Sequence, residues 1–190
     1  MLNPESIAES HVVKMIRDAC RVAMVFGHSI LLLDRYFLSV PALSALAEEE
    51  QKAGHQLLSI VVRAKSNVSA YEEPVRKPGR GRPPIKGVKV KLSKLFNKCA
   101  AGFTQTTVTM YGKKETVCYL CKDLLWGKKL YRKLRFVLVK YSTTTSILVC
   151  TDLDFSPERI IRLYSYRFKI ECCFREFKQV IVGFSYHFLE

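Results

Sequence analysis

The sequence predicts an α/β fold carrying a basic, β-rich insertion, and three observations predict it. Helical and strand periodicities alternate through the first 65 residues, and a helix, strand, helix, strand order builds an α/β layer. From Pro74 to Lys114 there are eleven Lys or Arg and no Asp or Glu. Beyond that run, a hairpin pattern leads into one amphipathic helix at the end of the chain. With 190 residues, 48% of them hydrophobic, the chain can bury a core and is not globally disordered.

The elements follow in order. Asn3 and Pro4 suit the N-cap and first turn of a helix, and Val12, Val13, Ile16, Ala19, Cys20 and Ala23 repeat at helical spacing. This helix is expected from about Pro4 to Phe26, stopping at Gly27. Ser29 to Asp34 reads as a short buried strand with Asp34 at its end. Pro41 opens a second helix through Leu43, Leu46 and Ala47 toward Gly54, and Leu57 to Arg63 is a β-rich central strand. Pro78, Gly79, Gly81, Pro83 and Pro84 exclude regular structure from the middle of the basic run. Val88 to Leu92, Phe103 to Tyr111 and Glu115 to Leu120 read as strands. Arg135 to Lys140 and Thr145 to Cys150 form a hairpin. Ser156 and Pro157 are the N-cap and first turn of the last helix. The expected organisation is residues 1–65 as a first core segment, 66–141 as the basic insertion and 142–190 as the end of the core.

A formal charge of +14 points to a polyanionic partner, with DNA or RNA ahead of an acidic membrane surface. No signal-peptide pattern or bilayer-length apolar run is present, so no membrane role is expected. Seven cysteines without framework spacing suggest reduced thiols in a cytosol. Cys118 and Cys121 make one C-x-x-C, but without a second pair they read as strand or turn thiols rather than a zinc site.

In the last helix, Tyr164, Arg167, Glu171 and Lys178 stand at spacings of three, four and seven, within an arc of about 60° at 100° per residue. Leu163, Tyr166, Ile170, Phe174 and Phe177 form a neighbouring apolar stripe expected to seat the helix on a core. A carboxylate can bind a hard cation while flanking cations and a hydroxyl hold phosphate oxygens. The alternative is a set of ordinary helix-surface pairs.

The run from Tyr164 to Lys178 resembles the Y-(2)-R-(3)-E-(6)-K signature of bacterial insertion-sequence transposases with a DDE catalytic core. Cys150-Thr151-Asp152-Leu153-Asp154-Phe155-Ser156-Pro157-Glu158 resembles the lead-in to that signature, and Leu31-Leu32-Leu33-Asp34-Arg35-Tyr36-Phe37 is similar to the segment bearing the second acid. The resemblance implies a ribonuclease-H-like fold, here partial, with a β insertion before the last catalytic helix. It implies DNA cleavage and strand transfer on two Mg²⁺ (or Mn²⁺) ions about 4 Å apart. Asp34 and Glu171 would be the second and third acids and the metal ligands, with Tyr164, Arg167 and Lys178 positioning phosphates. The alternative for Asp34 is a strand-end turn carboxylate.

The first acid should lie on an upstream strand, in a three-strand meander. The only aspartate before Asp34 is Asp18, which falls inside the first helix, and Glu5 and Glu9 belong to the same helix. No first acid is assigned, so an N-terminally truncated fragment, inactive on its own, is expected. The competing reading is a noncatalytic DNA-binding protein or transposition inhibitor that pairs with full-length transposase or occupies transposon ends. Homo-oligomers and a bacterial cytoplasmic, nucleoid-associated location accompany either. Lys77-Pro78-Gly79-Arg80-Gly81-Arg82-Pro83-Pro84 resembles an AT-hook, whose arginines enter narrow minor grooves. With Lys86 it marks Arg80, Arg82 and Lys86 as DNA-backbone contacts; the alternative is a solvated basic loop. Trp126 could stack on an extruded base or pack in a core or hairpin.

Overall fold

A computed structural model describes residues 10–75, 83–110, 112–167, 169, 170, 172, 173 and 176. Helix α1 (His11–Phe26) is capped by Ser10, whose Oγ accepts from the Val13 N–H at 3.4 Å. The expected start at Asn3 and Pro4 lies outside the described residues. Gly27 ends the helix at φ 85°, a conformation that side chains with a Cβ rarely adopt. Val12, Ile16, Cys20 and Ala23 are buried, at the helical spacing expected. Strand β1 (Ser29–Leu33) follows, then α2 (Val40–Ala53), which Ser39 caps and a left-handed Gly54 closes. Strand β2 (Leu58–Arg63) pairs with β1 in parallel, Leu33 beside Val62. The α/β layer read from the sequence is therefore present.

Strands β3 (Ser69–Tyr71), β4 (Lys89–Lys91), β5 (Thr104–Met110), β6 (Lys113–Trp126), β7 (Arg132–Tyr141) and β8 (Thr144–Cys150) complete one mixed sheet. Its order is β1-β2-β8-β7-β6-β3-β4, with β5 paired to β6, and every pairing except β1 with β2 is antiparallel. Segment 66–141 thus supplies β3 to β7, which join the sheet that holds β1 and β2. Two local readings need correction. Val88 to Leu92 is not one strand: β4 spans three residues, and the chain turns into α3 (Leu92–Lys98). Leu92, Leu95 and Phe96 sit at helical spacing there, and the buried Leu92 anchors the turn to the core. Glu115 to Leu120 is only the middle of a 14-residue β6, whose first half pairs with β5 and whose second half pairs with β7.

The sheet separates two cores. Leu33, Ile60, Val62, Leu134, Phe136 and Leu138 face α1 and α2. Val61, Val137, Val139, Leu148 and Cys150 face the last helix, α4 (Pro157–Ser165). Alternation along each strand produces the division, because successive side chains point to opposite faces. It also disposes of the C-x-x-C: Cys118 and Cys121 lie three apart on β6, so they point to opposite faces, and both are free thiols. Trp126, at the end of β6, packs partly buried against the α1–α2 core, in keeping with a packing role.

Strand β1 is one edge of the sheet, and no described strand pairs its outer side. Val25 and Phe26, at the end of α1, are 78% and 81% exposed. An open strand edge beside apolar side chains invites pairing with another chain. The 190-residue polypeptide is therefore expected to sediment as a concentration-dependent oligomer. Val25→Lys with Phe26→Lys should shift it toward the monomer. A wild-type chain that stays monomeric at every concentration tested would refute this.

Candidate active site

Asp34 follows directly on β1. Its Oδ1 accepts from the Arg35 N–H at 2.7 Å, capping a short 3-10 turn at Arg35–Phe37. The turn-carboxylate role foreseen as an alternative is real, and it coexists with a second contact. Arg167 places Nη2 3.6 Å from Asp34 Oδ2. The two side chains are 27% and 44% exposed, so the pair itself adds no more than about 1 kcal/mol of stability. Its significance is positional: the start of the signature reaches the acid at the end of β1.

The route to that meeting is set two turns earlier. Ser156 caps α4, its Oγ accepting from the Arg159 N–H, and Pro157 fills the first turn as expected. The Tyr119 hydroxyl donates to Glu158 Oε1 at 2.5 Å. Arg135 donates from Nε and Nη2 to both oxygens of Asp123 and from Nη1 to the Phe155 carbonyl. The hydrogen bond to Glu158 pushes the Tyr119 phenol up to about 12, and the same bond lowers Glu158. The hydrogen bond to Asp123 raises Arg135. Ile160 and Ile161 then bury the helix on the sheet.

The seat of the helix differs from the sequence expectation. Tyr166 and Ile170, assigned to the buried stripe, are 43% and 49% exposed, while Tyr164, assigned to the free stripe, packs with Leu163 against the core beneath α4. Two short-range bonds, Tyr166 N–H to the Leu163 carbonyl and Lys169 N–H to the Tyr166 carbonyl, tighten the chain at Tyr166. A tightened turn shifts the phase of every later residue. Glu171, Lys178, Phe174, Phe177, Arg80 and Arg82 lie outside the described residues. Lys86 is described: its ammonium stands 4.3 Å over the Tyr71 ring and 5.2 Å over the Tyr131 ring, and hydrogen bonding to Tyr131 raises its pKa.

One residue of this site escaped the sequence reading. Arg63 ends β2 and is exposed. Its alternation places it with Val61 on the α4 side, as that of Asp34 continues from Leu32. Arg63 also lines a cavity of about 120 Å³ with Ile161, Tyr164 and Ser165. In sequence it is the last residue of an apolar strand; only the register of β1 against β2 brings it level with Asp34. A larger cleft, about 540 Å³, lies elsewhere. It is lined by Glu50, Gln56, Arg132, Asp152 and Asp154 at the opposite end of β2, roughly 20 Å away at strand rise. There the Ser59 hydroxyl donates to Asp152 Oδ2 at 2.7 Å. Burial would raise Asp152, but that bond and those from Asp154 N–H and Gln56 outweigh it and lower the carboxyl.

Asp34 offers a hard-oxygen donor suited to Mg²⁺. No group of three His, Cys, Asp or Glu that could hold a metal occurs among the described residues. The described residues alone therefore do not form a metal site. Nor does any helix among them have the length and apolarity to cross a membrane.

The family profile described as Transposase DDE domain matches residues 1–185. No curated protein and no solved structure matches the chain.

The Tyr119–Glu158 contact generates a pH prediction. Glu158 has a lowered folded pKa, so its contribution is present above the unfolded value near 4.3 and is lost as pH falls through the folded one. Tyr119 has a raised folded pKa, so its contribution is present below the unfolded value near 10 and is lost as pH rises through about 12. Tyr119→Phe should cost about 1–2 kcal/mol between those limits. The gap from wild type should narrow at both extremes. Denaturant melts across pH measure it; a pH-independent gap would mean that the bond does not form.

Proposed function

The chain belongs to the transposase DDE domain family, and on that premise we propose that its α4 end is a DNA strand-processing site in which Asp34 and Glu171 are the acids. The observation that carries this reading is the Arg167–Asp34 pair, which joins the Y-R-E-K signature to the strand-end carboxylate. Tyr164, Arg167 and Lys178 position the phosphates flanking the scissile bond, and Arg63 adds a further cation at the same sheet end. Divalent metal ions serve DDE transposases generally; when bound, Mg²⁺ or Mn²⁺ would activate the attacking oxygen and stabilise the leaving one. On this side the chain contributes hard carboxylate oxygens and guanidiniums that hold phosphate oxygens bidentately.

No first acid is assigned within these 190 residues. We infer that the polypeptide of these residues binds DNA, including transposon ends, without cutting it alone. It would act in the bacterial cytoplasm at the nucleoid. The second reading, a transposition inhibitor that pairs with full-length transposase, is favoured by the outer edge of β1, which no described strand pairs. A mixing experiment separates the two: an inhibitor lowers strand transfer by an active transposase at stoichiometric ratio, whereas a chain that does not pair with it leaves it unchanged.

With two acids and no third, Mg²⁺ or Mn²⁺ should bind only weakly. Calorimetry is expected to show millimolar-range affinity that Asp34→Ala with Glu171→Ala abolishes. Tight stoichiometric binding that survives both substitutions would remove these residues from the site.

DNA binding should be salt-sensitive, since each phosphate contact releases counterions and adds about 0.9 to the slope of log K against log salt. Replacing Arg80, Arg82 and Lys86 by Ala should weaken binding and flatten that slope. Fluorescence titrations between about 50 and 200 mM salt measure it. An unaltered slope would locate the contact surface away from residues 80–86.

A further inference from the structure

The signature helix carries a second stripe that the proposed active site does not use. Arg159, Arg162, Tyr166 and Lys169 are exposed on one side of the helical segment. Arg159 and Arg162, three apart, have Cβ atoms about 5–6 Å from each other. They line a groove of about 290 Å³ whose opposite wall is β5.

The charge state of the groove is unusual for a surface of ion pairs. Neither arginine has a carboxylate partner among the described residues. Glu158, the acid that lines the groove among the described residues, already accepts from the Tyr119 hydroxyl. Arg159 stands 3.7 Å over the Phe155 ring. Stacking occupies one face of the guanidinium, orders it, and leaves its in-plane N–H donors available. Two guanidiniums side by side suit the phosphate oxygens that position a duplex.

We propose that the groove between α4 and β5 is a phosphate-backbone track for duplex DNA, with Arg159 and Arg162 as its charged contacts. Arg162 lies five residues before Arg167, roughly 7.5 Å along the helix axis. The track thus runs alongside the helix that delivers Arg167 to Asp34, and it holds DNA without regard to sequence. This inference rests on the DNA-binding reading given above, but on different residues from the basic segment 80–86.

The experiment measures binding of the 190-residue chain to a short random-sequence duplex between about 50 and 200 mM salt. Arg159→Ala with Arg162→Ala should reduce affinity roughly tenfold or more at the low-salt end and flatten the slope by about 1.8. Arg162→Ala alone, which leaves the Phe155 stack intact, should flatten it by about 0.9. Arg159→Lys with Arg162→Lys should restore most of the slope. An unaltered slope in a folded Arg162→Ala chain overturns the proposal, as does lost binding to phosphatidylserine vesicles with DNA affinity retained. Arg80→Ala with Arg82→Ala, run in parallel, reports the basic segment separately. If that pair has no effect while the groove variants do, the segment reading fails and the track stands.

Discussion

Arg135 is the interaction on which the placement of everything functional depends. Two of its nitrogens hold both oxygens of Asp123 on β6, and a third holds the Phe155 carbonyl in the loop that enters α4. A guanidinium has a planar, fixed fork of donors, so satisfying three acceptors at once fixes their relative positions. The β6–β7 pair and the start of α4 are thereby locked together. Lysine could not substitute, because a single ammonium lacks the bidentate geometry. The Tyr119–Glu158 bond reinforces the lock from the other side of the helix start.

This arrangement makes the β5–β6 arm and β7 part of the machinery that aims the signature helix. Val108, Met110 and Val117 of the arm share a core with Phe155, Ile160 and Ile161. Strands that read in sequence as parts of a basic insertion therefore supply one wall of the helix's packing, as well as the acceptor for Arg135. Positive charge is distributed accordingly. The stem of the basic segment, at β3 and β4, occupies the sheet edge opposite β1, five and six strand steps or roughly 24–29 Å away. The guanidiniums of Arg63 and Arg167 gather instead at the Asp34 end. A +14 chain with cations in both places is suited to a long, uniformly charged ligand rather than a compact anion.

Asp34 illustrates how one side chain can cap a turn and meet a distant cation together. Its Oδ1 caps the turn after β1, while Oδ2 is left for Arg167. The cap orients the carboxylate at little cost, since the hydrogen bond is to the very next residue. The resulting acid is half exposed and faces the helix, as a group that meets phosphates or cations must be.

Local signals were sufficient for much of the fold. Alternating periodicity with Gly27, Pro41, Gly54 and Ser156–Pro157 determined where α1, α2 and α4 start or stop, because these residues satisfy end groups or adopt backbone angles that others resist. The apolar run ending at Asp34 and the hairpin of β7 with β8 were legible for the same reason, as was the Y-R-E-K spacing itself. Which stripe of α4 is buried was not legible. Tyr164 and Tyr166 are both amphipathic, and only the sheet beneath α4, with the tightened turn at Tyr166, chose Tyr164 as the buried one. Arg63 could not be seen at all, since its meaning comes from the parallel register of β1 with β2. The break of Val88 to Leu92 into β4 and α3 was likewise decided by the core, where Leu92 is fully buried. Caps and periodicity act over a few residues and are written in sequence; register, burial side and the meeting of Arg167 with Asp34 depend on segments far apart in the chain, and only the folded sheet brings those together.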